Sequence, residues 1–259
     1  MERKPRKRAA DKTSCTARYK EVHQFLQWTP IGIEKKIRRL DQRVSRLAGE
    51  TPEERKGERL RLAHWSAQLR EVQDRIDVIK KEVRPVLARD IPAPPASNEL
   101  VLVAFFQPST KNLFAELDVY FRKRGEENLS REITELGALA DGARTLAWIG
   151  DAALNLAVLP EIWDPAISHV GILSKKRADY VQNANLARLC DRWMLSEHRI
   201  HFDLPADPGA TTSETVAHTK GTLVEAIFGT VFLSGGLSAV ACAIPLLRIE
   251  QITEGAEPL

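Results

Sequence analysis

Apolar residues recur along the first third of the chain as two helical stripes. Ile33, Ile37, Leu40, Val44 and Leu47 advance by four, three, four and three residues, a heptad spacing that lines one face of an amphipathic helix. Ala48-Gly49 closes it, glycine being the usual residue just past a helix end. Thr51-Pro52-Glu53-Glu54 opens the next helix: Thr51 is placed to cap, Pro52 suits the first turn, and Glu54 stands where a capping box needs it. Leu62, Trp65, Leu69, Val72, Ile76, Ile79 and Val83 then alternate threes and fours until Pro85 ends the run. Two such helices on so short a link predict an antiparallel coiled-coil hairpin over 19–89.

Asp90-Ile-Pro-Ala-Pro-Pro-Ala-Ser97 reads as a proline-rich linker and the boundary to a second domain over 98–250. Leu100 to Phe106 suits a short strand or a helix start. Pro108-Ser-Thr-Lys opens a helix carrying Leu113, Phe114, Leu117, Tyr120 and Phe121, closed by Gly125. Leu129 to Leu139 adds a helical turn or two, and about Ala143 to Val158 forms an apolar helix stopped by Pro160. Ser168 to Met194 is helical with a break near Asn183, and Asp203 to Thr212 is loop. Glu214 to Leu233 is a second apolar helix, ended by Gly235-Gly236, and Leu237 to Ile249 is a last one. No repeated strand pattern is present, so the fold class read here is all-α.

The chain has 259 residues, 43% hydrophobic and 28% charged, which suits a soluble chain of one large or two modest domains. Its net charge of +3 is unevenly spread. Met1-Glu-Arg-Lys-Pro-Arg-Lys-Arg8 heads a basic tail, 1–18, read as disordered and suited to phosphate contact; 251–259 is a second tail. Lys35, Lys36, Arg38, Arg39, Arg43 and Arg46 lie between the heptad positions with acids interleaved, either as a solvated face or as a grip on RNA or a partner. Three cysteines without metal spacing predict neither a disulfide framework nor a zinc site, and a cytoplasmic setting. The charged N-terminus is no secretory signal, and the apolar run Ile227 to Phe232 is too short for a bilayer, so no membrane is expected.

The chemistry-bearing stretch is Arg144-Thr-Leu-Ala-Trp-Ile-Gly-Asp151, which sets one acid in an apolar segment. Lys220-Gly-Thr-Leu-Val-Glu-Ala-Ile-Phe-Gly229 does the same with Glu225. An ionised carboxylate in such a run is costly unless it is solvated, paired or metal-bound. Either each acid sits at a helix edge in water, or the two meet at one cation.

Leu146-Ala-Trp-Ile-Gly-Asp-Ala152 resembles the signature of the ribonuclease III family. Gly171 to Arg188, with its basic start and Asn-Ala-Asn-Leu-Ala, resembles the family's next long helix, and Val224 to Gly236 its last signature helix. The motifs follow in family order over about Asn98 to Arg248. The resemblance implies the all-α ribonuclease III endonuclease fold, here preceded by the hairpin. It also implies divalent-metal hydrolysis of double-stranded or structured RNA by a homodimer.

Family members carry four metal-binding acids; here Ala147 and Thr222 stand at two of those positions, and Asp151 and Glu225 at the others. One reading is therefore a non-catalytic RNA-binding or scaffold relative. The other is similarity to the small Mini-III ribonucleases, which also have Leu-Ala-aromatic-apolar-Gly-Asp-Ala and a Thr three residues before the Glu. Those enzymes lack a double-stranded-RNA-binding domain, and the short stretch after Gly236 leaves no room for one here. On that reading Asp151 and Glu225 are catalytic. They hold Mg²⁺ or Mn²⁺ together with Glu214, at the spacing of a further Mini-III acid, and Thr222 orients a metal-bound water. Lys175, Lys176 and Arg177 are candidates for phosphate contact, Asn183 and Asn185 for RNA sugars, and His218 and Lys220 for the scissile phosphate. RNA processing is the implied role, ribosomal precursors among the substrates.

Overall fold

Glu34 meets Lys80, while Asp41 and Ser45 meet Ser66 and Arg70, so the two striped helices run antiparallel. This computed structural model describes residues 28–165, 169–202 and 212–248. The basic tail, residues 19–27, nearly all of the 203–212 loop and the 251–259 tail fall outside them. Helix α1 spans Ile33–Glu50 and α2 Lys56–Val78. All the stripe residues of both arms are buried. Thr51 does not cap α2. Its hydroxyl donates back to the Leu47 carbonyl, and α2 begins only after a 3₁₀ turn over Glu53–Arg55.

The second arm does not stop at Pro85. A π-helical turn, Ile79–Val83, leads directly into α3, Arg84–Asp90, and the Arg84 N–H reaches the Ile79 carbonyl five residues back. Proline inside a regular α-helix loses its own N–H bond, and its ring strikes the carbonyl four residues earlier. The wider turn just before Pro85 makes room for that ring. The buried stripe accordingly continues through Val83, Leu87 and Ile91 in steps of four.

Nor is the proline-rich stretch a free tether. Ile91 and Pro95 are buried, the Arg84 guanidinium donates to the Pro95 carbonyl, and the Ala96 N–H donates to Ser234 Oγ. One hydrophobic core runs from Ile33 to Leu247. The hairpin lies on α5 (Thr110–Lys123) and α6 (Glu127–Gly137). Lys36, Arg39 and Arg43 pair with Glu135, Glu132 and Glu126 of α6 and its cap. These cations are thus engaged inside the fold. Trp65 donates its indole N–H to Glu116 at 2.8 Å and packs edge-on against Tyr120, whose hydroxyl donates to Glu58. Helix α4, Asn98–Val103, adds a tie: the amides of Ile31, Gly32 and Ile33 all donate to the Glu99 carboxylate, which caps α1 from outside.

Leu100 to Phe106 is therefore helix first, then a turn whose Phe106 bridges to Ile200. That isolated bridge aside, the described residues are helices and connecting turns, and the chain is all-α. At the centre α7 (Leu139–Ala157) packs along α11 (Ser213–Ala243). Helix α11 is long and apolar enough by composition to cross a membrane, but 61% of its most apolar window is buried within the protein and it bends at Gly236 (φ 67°). It is the core helix of this fold. The short α8 (Leu159–Ile162) leads toward α9 (Val170–Val181), which is followed by α10 (Asn183–Arg192), the break falling at Gln182 (ψ 148°). Asn185 is buried there, donating to the carbonyls of Asp179, Tyr180 and Leu247. Cys190 is free and buried.

Candidate active site

The site begins with two glycines. A Cβ added to Gly150 would lie 1.8 Å from the Glu225 carbonyl oxygen, and one added to Gly229 would lie 2.1 Å from the Leu146 carbonyl oxygen. Helices α7 and α11 therefore touch backbone to backbone, closer than any side chain permits. Asp151 follows the first glycine, and Glu225 precedes the second by one helical turn. The close crossing brings the two acids into electrostatic contact. Glu225 is pushed up to about 7 from an ordinary 4.5, first by burial and then by the negative charge of Asp151.

Asp151 is exposed and Glu225 half-buried. Asn155, one turn further along α7, donates through Nδ2 to the Asp151 carboxylate at 2.8 Å and to its backbone carbonyl. It fixes the side chain while leaving the other carboxylate oxygen free of that bond. Sequence reading missed this residue, although Asp-x-x-x-Asn on a helix is a legible spacing.

A half-buried glutamate beside an aspartate makes a site with a deficit of positive charge. Such an arrangement fits a hard divalent cation, which takes oxygen ligands and retains waters when only one or two carboxylates are supplied. Among the described residues no third Asp, Glu, His or Cys joins them to form a metal-binding group. Glu214 is not brought to the pair. It lies in the first turn of α11, well before the Gly236 bend, about 16 Å from Glu225 along the axis at 1.5 Å per residue.

The remaining candidates divide. Asn183 lies over Gly221 with its Nδ2 3.4 Å from His218 Nδ1, so these two come together at the α10–α11 junction. Thr222 lies between His218 and Glu225 on one face of α11 and lines a cavity of about 280 Å³ between α7 and α11. Lys220 points the other way, paired to Asp191 of α10 at 2.6 Å. Lys175, Lys176 and Arg177 are all exposed on α9, a helix with no buried residue. Asn185 is occupied by backbone carbonyls and is structural.

Residues 144–236 match the family model of the ribonuclease III domain. The matched stretch opens with the α7 signature and closes at the Gly236 bend of α11, so it contains both acids and the crossing that joins them. No curated protein and no solved structure matches the chain.

Proposed function

We propose that this chain is a divalent-metal-dependent endoribonuclease that hydrolyses phosphodiester bonds of double-stranded or structured RNA as a homodimer, in RNA processing. The observation that carries this reading is the juxtaposition of Asp151 and Glu225 at the glycine-mediated crossing, inside the segment that matches the ribonuclease III domain. Asp151 and Glu225 would hold Mg²⁺ or Mn²⁺, directly or through water. Such an ion, when bound, lowers the pKa of a water nucleophile and screens the phosphate charge. Asn155 holds the Asp151 carboxylate in place, and Thr222 offers a hydroxyl beside the pair.

A homodimer is supported by the outer face of α7 and by the exposed apolar side chains between α7 and α9. Trp148 is 74% exposed, Leu156 56%, Trp163 61% and Val170 75%, while Leu146 and Leu154 on the opposite face are in the core. An apolar face of this kind signals an interface, and a two-fold pairing would use the same face on both copies. The cations of α9 lie near that face, where a duplex laid across two copies would meet them; A-form RNA is held mainly through phosphates and 2′-hydroxyls.

One observation favours a second reading, a non-catalytic RNA-binding scaffold: two carboxylates, rather than a larger set, make up the site among the described residues. Incubation of the chain with a labelled RNA duplex and Mg²⁺, beside Asp151→Asn and Glu225→Gln, separates the two. Cleavage by wild type that disappears in both variants supports the enzyme. Tight duplex binding without cleavage supports the scaffold, and cleavage persisting in both variants overturns the assigned site.

A further inference from the structure

The hairpin and α5 leave an open groove between them. One stretch, of about 570 Å³, is lined by Arg61 and Trp65 of α2 and by Glu116, Val119, Tyr120 and Lys123 of α5. Glu116 also lines a second stretch of about 170 Å³, reached by His64 and Gln68 of α2 and by Asn112 and Ser109. The groove therefore follows α5 along its length, about 21 Å at 1.5 Å per residue. Both walls, α2 and α5, lie outside the segment that matches the family model. Ser109 directly follows Gln107 and Pro108, which line the cavity beside Thr222, so this end is the one nearer the candidate active site.

The groove carries polar groups that the fold does not use. The Arg61 guanidinium lies over the rings of Trp65 and Tyr120, 5.2 and 5.9 Å from their centroids. Among the described residues neither Arg61 nor Lys123 has a carboxylate partner, and both are exposed. His64, Gln68 and Asn112 likewise make no hydrogen bond through their side chains to another described residue. The one carboxylate lining the groove, Glu116, accepts the Trp65 indole N–H. Glu58, one turn before Arg61, is taken by the Tyr120 hydroxyl, Arg55 and Arg124.

We propose that this groove binds an unpaired strand of the RNA, nucleotides that flank the duplex. The inference rests on the ribonuclease reading above for its choice of RNA. Bases stack on guanidinium planes and aromatic rings with little regard to sequence. Trp65 is buried and Tyr120 half-buried beneath Arg61, so the guanidinium is the surface that a base meets. Lys123 offers a point charge to a backbone phosphate. The amides of Gln68 and Asn112 and the imidazole of His64 supply both donors and acceptors, as base edges and 2′-hydroxyls require. An amphipathic partner helix would need a continuous apolar stripe. Val119 and Ala115 are the only aliphatic side chains in the larger stretch, which disfavours such a partner.

The test compares a blunt RNA duplex with the same duplex carrying a short single-stranded uridine extension. Affinities are measured by fluorescence anisotropy with a chelator present, and each variant is scored by the ratio of the two. Wild type is expected to bind the extended duplex about tenfold more tightly, as for one base stacked on a side chain. Arg61→Ala is expected to abolish that gain, and Arg61→Lys to recover little of it, since the charge returns without the plane. Lys123→Gln is expected to lower the slope of log affinity against log salt by about one on the extended duplex. No gain in wild type, or a gain kept in both Arg61→Ala and Lys123→Gln, overturns the inference and leaves the ribonuclease reading standing. A gain that polyglutamate competes away overturns the assignment to RNA in favour of an acidic protein segment. An extended duplex bound more tightly but left uncut when Mg²⁺ is supplied overturns the ribonuclease reading and keeps the groove. A wild-type chain that binds neither RNA overturns both.

Discussion

Gly150 approaches Glu225 so closely that a methyl group on it would come within 1.8 Å of the Glu225 carbonyl oxygen. This contact determines where both acids stand, because Asp151 is the next residue on α7 and Glu225 itself is the neighbour on α11. Gly150→Ala or Gly229→Ala must push the two helices apart. Overpacking of this kind is expected to cost about 3 kcal/mol, with backbone rather than a yielding side chain in the way. Denaturant unfolding should show the loss of stability. Duplex cleavage should fall even at temperatures where the variant remains folded, because the acids separate.

The Glu225 carboxyl titrates near 7 in the folded chain against 4.5 for an ordinary glutamate. The folded state therefore binds that proton more tightly than the unfolded state. Its contribution to stability is fully present below about pH 4.5 and is lost as pH rises through about 7. With a chelator present, Glu225→Gln should be more stable than wild type at pH 8, by on the order of 1 kcal/mol after allowance for solvent screening. The gap should close as pH falls from 7 toward 4.5, which thermal melts across that range would follow. A gap independent of pH would show that the carboxyl charge is not its source.

Glu99 accepts three backbone N–H groups at the start of α1. Glu99→Ala leaves them without this acceptor and should destabilise the protein by about 1.5–3 kcal/mol, the range for hydrogen bonds to a charged group. Hydrogen exchange should accelerate first at residues 31–36, with α7 and α11 least affected.

Trp148 and Trp163 are 74% and 61% exposed. Trp148→Glu is expected to shift the chain from dimer to monomer in sedimentation velocity with its helical circular dichroism unchanged, since neither core residue nor backbone is disturbed. A monomeric wild type at micromolar concentration would contradict the proposed pairing.

Local physics left clear marks in the sequence where it acted alone. The alternating threes and fours from Ile33 to Val83 correspond to buried stripes, and the break beside Asn183 falls at Gln182. The lone acids on apolar helices pointed to the crossing of α7 and α11. Features that depend on a distant partner were not legible. Pro85 looks like a stop, yet a π-helical turn absorbs it; the steps of four through Val83, Leu87 and Ile91 are the trace of that wider turn. The proline-rich stretch resembles a tether by composition, but Arg84 and Ser234 hold its carbonyl and amide. The cations of α1 look solvent-directed until α6 supplies their acids. Glu214 was chosen by spacing alone, and the straight run of α11 carries it away from Glu225.

Helix α9 has no buried side chain. A twelve-residue helix is marginal in water when little tertiary packing supports it. Its amides should then exchange with solvent well ahead of those in α7 and α11. Leu173, Tyr180 and Val181 alone tie it to the core, each only in part, so any molecule that settles on it, a second copy or a duplex, would announce its arrival there as slowed exchange.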